Sequence, residues 1–555
     1  MMADRAHIIA VARGELAADL LLSNARIVNV FTGEIESGHI AISGDRIAGI
    51  GDYKAKKVVD VGGRHVAPGL INGHIHPESS MLDIGQYARA VVPHGTTSLA
   101  TDLHEIANVA GVAGIKYILE RARRLPLNLF LMAPSCVPAT DLETSGATLG
   151  PEEIRQILGW KECLGLGEVM NFPGVVNGDE TVWWKIEAAR GKIIDGHAPG
   201  LSGKALSAYI AAGIGSDHEC VTLAEAEEKL RRGMRIMIRE GSAEKNLETL
   251  LPLVNDKTWP RCMFVVDDRS GADLLHDGDI DAVVRKAISL GLNPVRAIQL
   301  ATINTAGYFR RQGLGGIAPG YYADLVVLGE LEKLQIDMVF YRGKLVAEAG
   351  QPLFEASPSA DRSLNDSVNI KPFGIEALKL EPAGKAQPII EVVPGQIITK
   401  KLTEKLATIP DLAKDVLKLV VVERHKATGN IGVGPVKGFG LKRGALASSV
   451  AHDSHNIVAV GANDADIFAA VKELERMKGG LAAVSGGKVL ASLALPVAGL
   501  LSNEPLETVV GKLERLEKAA LALGSTLPAP FAALSFLALP VIPEIRLTDR
   551  GIVEL

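Results

Sequence analysis

His74 and His76, separated only by Ile75, follow the apolar run Val66-Ala67-Pro68-Gly69-Leu70-Ile71 and stand directly before Pro77-Glu78-Ser79-Ser80-Met81. Residues two apart in a strand project from the same face, so both imidazoles can reach one metal ion from a single rigid element. That arrangement suits hydrolytic metal chemistry. It suits equally two strand histidines that only hydrogen-bond, and the dipeptide spacing alone does not separate the two readings.

The surrounding pattern says what must position such a pair. Between residues 66 and 315, apolar strand-like runs alternate with longer stretches of helical period, as in a parallel α/β fold. Eight candidate strands end near His76, Asp102, Pro134, Glu168, His197, His218, Arg239 and Asp267. Eight such units in about 250 residues predict a (β/α)8 barrel, whose reactive groups gather at the C-terminal ends of the strands. All of those ends except Pro134 and Arg239 carry an acid or a potential metal ligand, which random placement of polar residues would not often produce. His94 precedes a strand and so falls at the barrel's opposite face, where residues serve stability.

Short β-rich runs separated by Asn, Gly and Asp fill residues 18–61, and a matching pair, Ala323 to Leu328 and Met338 to Gly343, appears only after the barrel region ends. Residues 1–65 and 316–365 are therefore expected to form the two halves of a small β-sandwich into which the barrel, residues 66–315, is inserted. Gly313 to Gly316 read as a turn entering its second half, and Gln351 to Asp366 as a linker. A C-terminal α+β domain, residues 366–555, follows, with a strand at Leu417 to Val422 and a helix at Ala465 to Met477. Its polar run His452-Asp453-Ser454-His455-Asn456 reads either as a hydrogen-bonded turn or as part of an active site.

The 555-residue chain has a net charge of −6, which provides no basic field for a nucleic-acid backbone. Cys136, Cys163, Cys220 and Cys262 form no Cys-x-x-Cys pair and suit a reducing compartment. Asp4, Arg5, Arg13 and Glu15 interrupt any signal-peptide core, and prolines break the apolar segment from Leu527 to Ile542, which reads as packed strands and turns. The expectation is a cytoplasmic protein with no membrane partner.

With His74, His76, Glu168, His197, His218 and Asp267 in place, the chain resembles the adenine deaminase family of the amidohydrolase superfamily. The resembling stretches include Gly69 to Met81, Asp102 to Asn108, Gly167 to Gly174, Asp195 to Gly203, Ser216 to Glu219, Arg239 to Ala243 and Asp267 to Arg269. In the last unit Glu423-Arg424-His425, Gly438-Phe439-Gly440, Ala451 to Asn456 and Gly499 to Ser502 are also similar to that family. Hydantoinases, dihydroorotases and urease bridge their metals with a carboxylated lysine at the fourth strand. Adenine deaminase is similar to this chain in having a glutamate there.

The resemblance implies that His74, His76, Glu168, His197, His218 and Asp267 bind two divalent cations, Mn2+ above Fe2+ or Zn2+, with Glu168 as the bridge. It implies hydrolysis of adenine to hypoxanthine and ammonia by attack of a metal-bridging hydroxide on C6, in purine salvage, by a homo-oligomer, a dimer. Asp267 would shuttle the proton of the attacking water, and Glu105 would protonate a ring nitrogen or orient the base. Asp102, His104 and Glu105 are assigned to substrate contacts or to supporting the metal ligands from behind, the other reading being that they only cap the following helix. The chain departs from the family at Leu103, where proline is usual, at Ser270-Gly271, where His-Pro is common, and at Pro77, where an aliphatic residue is common. These positions touch loops that shape the pocket, so another amidohydrolase activity, on a cyclic amide or a different aminated heterocycle, stands as the alternative. A catalytically silent scaffold is the other, although such proteins typically lose metal ligands and this chain retains the side-chain types.

Overall fold

The computed structural model describes residues 2–356, 361–382 and 384–554. The predicted linker at 351–366 therefore lies in part, at 357–360, outside the described residues.

Eight parallel strand positions succeed one another between residues 70 and 268. Leu70–Asn72 (continued by Ile75–His76), Thr96–Thr101, Asn128–Ala133, Cys163–Val169 and Ile193–Gly196 form one ladder, and Ser216–Asp217, Arg235–Arg239 and Cys262–Val265 a second. Gly215 N donates to Ile194 O at 2.9 Å and links the two. On the far side Asp267–Asp268 pairs in parallel with Ile75–His76, so the eighth strand returns to the first. This is the expected barrel, with the strand ends within about two residues of those read from the sequence. Thr96–Thr101 and Asn128–Ala133 are buried at every residue, as strands covered on both faces must be, which is why they show no alternation.

The flanking β-domain is one continuous nine-stranded sheet. Its halves join where His65–Pro68 pairs with Leu325–Leu328, Val66 opposite Val327. Ile47 N donates to Tyr321 O at 2.8 Å and Ala323 N to Asp45 O at 2.9 Å, so the sheet curls back on itself around Leu22, Ile27, Ile42, Val66, Leu325, Val327 and Phe340. An N-terminal helix, Met2–Ala12, packs Val11 beside Leu21, Ala41 and Ala48; it was not evident in the sequence because its apolar residues form no clean stripe.

The C-terminal domain is an eight-stranded, mainly antiparallel sheet carrying the helices Asp464–Met477 and Leu506–Ala522. Asn463 caps the first of these by accepting from Asp466 N, and Lys478 ends it in the left-handed region at φ 65°. The segment read as strands and turns from Leu527 to Ile542 differs: it contains a short helix, Pro530–Ser535, started by its own proline at the first helical position. No helix among the described residues is long and apolar enough to cross a membrane.

Paired hydrogen bonds help to seat this domain on the barrel. Asp83 N donates to Ser502 O at 2.8 Å while Ser502 N donates to Met81 O at 2.7 Å. Thr144 donates to the Asp549 carboxylate through both its N–H, 2.9 Å, and its hydroxyl, 2.6 Å.

Beneath the barrel mouth the fully buried Lys229 ties the fifth and sixth strands together. Its ammonium donates to Ala198 O at 2.6 Å, Asp217 Oδ2 at 3.0 Å and Glu225 Oε1 at 2.7 Å, immediately beside His197 and His218. Replacing it by methionine would leave the Asp217 carboxylate buried and unpaired. Lys229→Met is expected to cost about 3–5 kcal/mol of stability, read as a lower unfolding midpoint by calorimetry; an unchanged midpoint would refute the anchoring role.

Candidate active site

The strand ends deliver their side chains into one buried cluster. His76 ends the first strand, Glu168 lies in the last turn of pleat of the fourth, and His197 and His218 immediately follow the fifth and sixth. Asp267 opens the final short strand in the left-handed region, φ 67°, and its N–H donates to His74 O at 2.9 Å. Gly167 permits the crowding: a Cβ there would lie 2.6 Å from Asp102 Cβ, so only glycine lets Asp102 stand beside Glu168.

Each oxygen of Glu168 faces different imidazoles. Oε1 lies 3.3 Å from His76 Nε2 and 3.8 Å from His74 Nε2, and Oε2 lies 2.8 Å from His197 Nδ1 and 3.3 Å from His218 Nε2. Asp267 Oδ1 is 3.2 Å from His76 Nε2, and Oδ2 accepts from Arg239 Nη1. His74 and His218 stack with centroids 4.1 Å apart. All of these side chains are buried except His197, whose side chain is 25 % exposed and marks the open side.

The cluster fits divalent cations. Ligand atoms of His74, His76 and Asp267, and separately of His74, Glu168 and His218, fall within 4.8 Å of one another. His74 Nε2 is buried without a hydrogen-bond partner in the protein, which is costly unless another electrophile takes its lone pair. Nitrogen and carboxylate donors without a thiolate suit manganese, iron or zinc. Burial drives the His74 imidazole down to about 3, helped by its stacked neighbour His218. Burial also opposes a charge on His218, but Glu168 and Asp267 overcome it and raise His218 to about 9. Glu168 stays far below the usual carboxylate range despite its burial, because His197, His218 and His76 surround it. A cation held by His218 would take the place of the proton that Glu168 and Asp267 favour there.

A second polar group adjoins the first. Asp102 Oδ1 lies 2.9 Å from His104 Nδ1 and 3.4 Å from His76 Nδ1. His104 and Glu105 open the helix His104–Ala122, and Glu105 points toward the C-terminal domain, where His452 Nδ1 lies 2.6 Å from its Oε1 and His455 Nε2 meets its Oε2. The run at 452–456 is thus joined to the site as well as being a turn. Every residue singled out from the sequence for this site belongs to this connected assembly.

Leu103 precedes that helix at φ 55°, in the left-handed region, which the ring of a proline cannot adopt. The departure at Leu103 is therefore a change of local backbone. Ser270 caps the helix Gly271–His276 by accepting from Asp273 N at 3.1 Å, and Pro77 starts the short turn Pro77–Ser80. His94, at the other end of the barrel, lies 3.1 Å from Asp281 and takes no part.

Sequence reasoning missed Glu219. It lies 3.4 Å from His218 Nε2 and accepts from Arg239 Nη1 at 2.5 Å, so Arg239 spans Glu219 and Asp267. Its only sequence signal was its position next to His218. Glu78 was missed too: burial raises it to about 7, and its Oε2 has no partner.

Comparison with known proteins adds two family matches: Amidohydrolase family over residues 65–346 and Adenine deaminase C-terminal domain over residues 396–555. The chain is 61 % identical to an adenine deaminase of Dehalococcoides mccartyi, covering 100 % of this chain and 98 % of that protein. It is 49 % identical to adenine deaminase 2 of Carboxydothermus hydrogenoformans over 99 % and 97 % of the two chains, and 46 % identical to an adenine deaminase of Halalkalibacterium halodurans over 98 % and 96 %.

Removing the negative charge shared between the two histidine pairs should weaken cation binding. Glu168→Gln is expected to lower the divalent metal content per chain, measured by inductively coupled plasma mass spectrometry after dialysis; full occupancy with full activity would contradict the bridging geometry.

Proposed function

Because this chain belongs to the adenine deaminase family of the amidohydrolases, we propose that the cluster at its barrel mouth hydrolyses adenine to hypoxanthine and ammonia. The enzyme is a metal-dependent hydrolase of C–N bonds with a small-molecule substrate. The observation that carries the reading is Glu168, whose two oxygens face two separate histidine pairs and need no modification to span two cations.

In this reading His74, His76, Glu168, His197, His218 and Asp267 hold two divalent cations, Mn2+ before Fe2+ or Zn2+. Bound there, the cations supply Lewis acidity that makes water nucleophilic at neutral pH. Asp267 Oδ1 takes one proton of the attacking water and gives it to the departing amine. Arg239, which grips Oδ2, keeps Oδ1 aimed into the site. Glu105, kept ionised by the imidazoles of His452, His455 and His104, takes the other proton from the oxygen added at C6 and passes it to the neighbouring ring nitrogen, so the two hydrogens of water end on ammonia and on the product ring. Asp102 and His104 contact the base, and the buried walls exclude competing water.

The division of labour assigns the barrel, 66–315, to chemistry, 1–65 with 316–365 to the β-sandwich, and 366–555 to the C-terminal domain. The family likeness supports a homo-oligomer, a dimer. Four buried cysteines without a disulfide support a reducing, cytoplasmic setting.

The test is ammonia release by manganese-loaded protein from adenine, beside adenosine, guanine, cytosine and hydantoins. Adenine is expected to be turned over preferentially; a protein that ignores adenine but hydrolyses another ring would overturn the assignment. Asp267→Asn is expected to retain part of its metal and lose about 10²–10⁴-fold in kcat, and near-normal kcat would reject it as the proton carrier.

A further inference from the structure

We propose that His452 and His455, from the C-terminal domain, are positioning residues for the reaction: they grip the two carboxylate oxygens of Glu105 and fix its direction at the barrel mouth. The proposal rests on the role assigned above to Glu105.

Both imidazoles are themselves held. The Nδ1 of His455 accepts the Ala451 N–H at 3.1 Å, so its proton lies on Nε2 and is donated to Glu105 Oε2. Burial lowers His455 to about 4, in keeping with that neutral, single-donor form. The His455 backbone sits in the left-handed region at φ 55°, and its carbonyl accepts from Arg424 Nε. Arg424 is fully buried, and its other contacts are Ala498 O at 3.1 Å and Ser367 O and Oγ at 3.3 Å. A guanidinium with no acidic partner among its hydrogen bonds is thus committed to fixing the loop that carries His455. His452 donates its backbone N–H to Ser535 O at 2.9 Å, and its ring stacks on Phe536 with centroids 4.6 Å apart and planes within 13°. The Nδ1 of His452, 2.6 Å from Glu105 Oε1, is therefore as fixed as the domain that bears it.

Inside the barrel Glu105 has much less support. Its nearest barrel partner is His104 Nε2, 3.5 Å from Oε1. A glutamate has three side-chain torsions, and proton transfer needs hydrogen-bond reach and alignment. Two anchored donors, one on each oxygen, remove that freedom before substrate arrives. An error near 1 Å in such a group costs on the order of 10²-fold in rate. The barrel alone therefore carries the ligand cluster, and the docked C-terminal domain fixes the carboxylate that faces the base.

The test uses the full-length, manganese-loaded enzyme with adenine. His452→Ala and His455→Ala are each expected to lower kcat by about 10²-fold while KM and metal content stay near wild type, and to lower the unfolding midpoint because a buried carboxylate loses a donor. His452→Asn keeps a donor at the Nδ1 position and His455→Gln one at the Nε2 position, and each should restore most of the loss. In a Glu105→Gln background the alanine substitutions should cost nothing further, since the group they position is gone. Wild-type kcat in both alanine variants, beside a crippled Glu105→Gln, would overturn the positioning role alone. So would losses that persist undiminished on Glu105→Gln, which would mark the histidines as merely structural. A fully active Glu105→Gln would overturn the role of Glu105 itself.

Discussion

Glu168 is the group around which the rest is arranged. A carboxylate fully withdrawn from water costs several kcal/mol unless opposite charge or strong donors surround it. Here the surroundings come from three different strand ends, the first, the fifth and the sixth. None of the imidazoles could approach so closely if its strand were not held in register by its neighbours. The parallel ladders, the Lys229 tie and the pairing of Asp267 with Ile75 can all be understood as means of keeping one anion satisfied.

The electrostatic burden is graded outward from that point. Asp267 is balanced by Arg239, Arg239 by Glu219 as well, and Asp102 by His104 and His76. Glu105, at the rim, draws its balance from another domain. The loop carrying Thr144 and Ser145 is likewise shared: Ser145 Oγ donates to Asn108 O at 2.9 Å on the barrel helix, while Thr144 binds Asp549. The barrel mouth is thus bounded by contacts that belong to neither domain alone.

Much of this was legible in the chain. The strand positions were, because parallel strands alternate with helices at a regular spacing and most of them end on an acid or a histidine that has no place in a core. The glutamate at the fourth strand was legible because its residue type already carries two ligand oxygens. The short N-terminal helix was not, since its apolar residues mark no face, and neither was the helix at Pro530, whose apolar setting masked its start signal. Glu219 escaped because its one signal was standing next to His218, and the pairing of His452 and His455 with Glu105 escaped for a different reason. Which carboxylate a histidine at position 452 or 455 will meet depends on how two domains dock, and no local periodicity encodes that. Leu103 lies between these cases: the residue type was visible as a departure, but its left-handed backbone was not.

The pairing of His65–Pro68 with Leu325–Leu328 bears on how the chain is made. The strand that leads directly into His74 and His76 completes its ladder only with residues synthesised after the whole barrel. Such non-local closure is slow and leaves apolar edges unpaired in the meantime. A ribosome-bound chain that has emerged only through Asp267 possesses every ligand side chain of the cluster, yet the strand that closes the seam beside the first of them has still to appear.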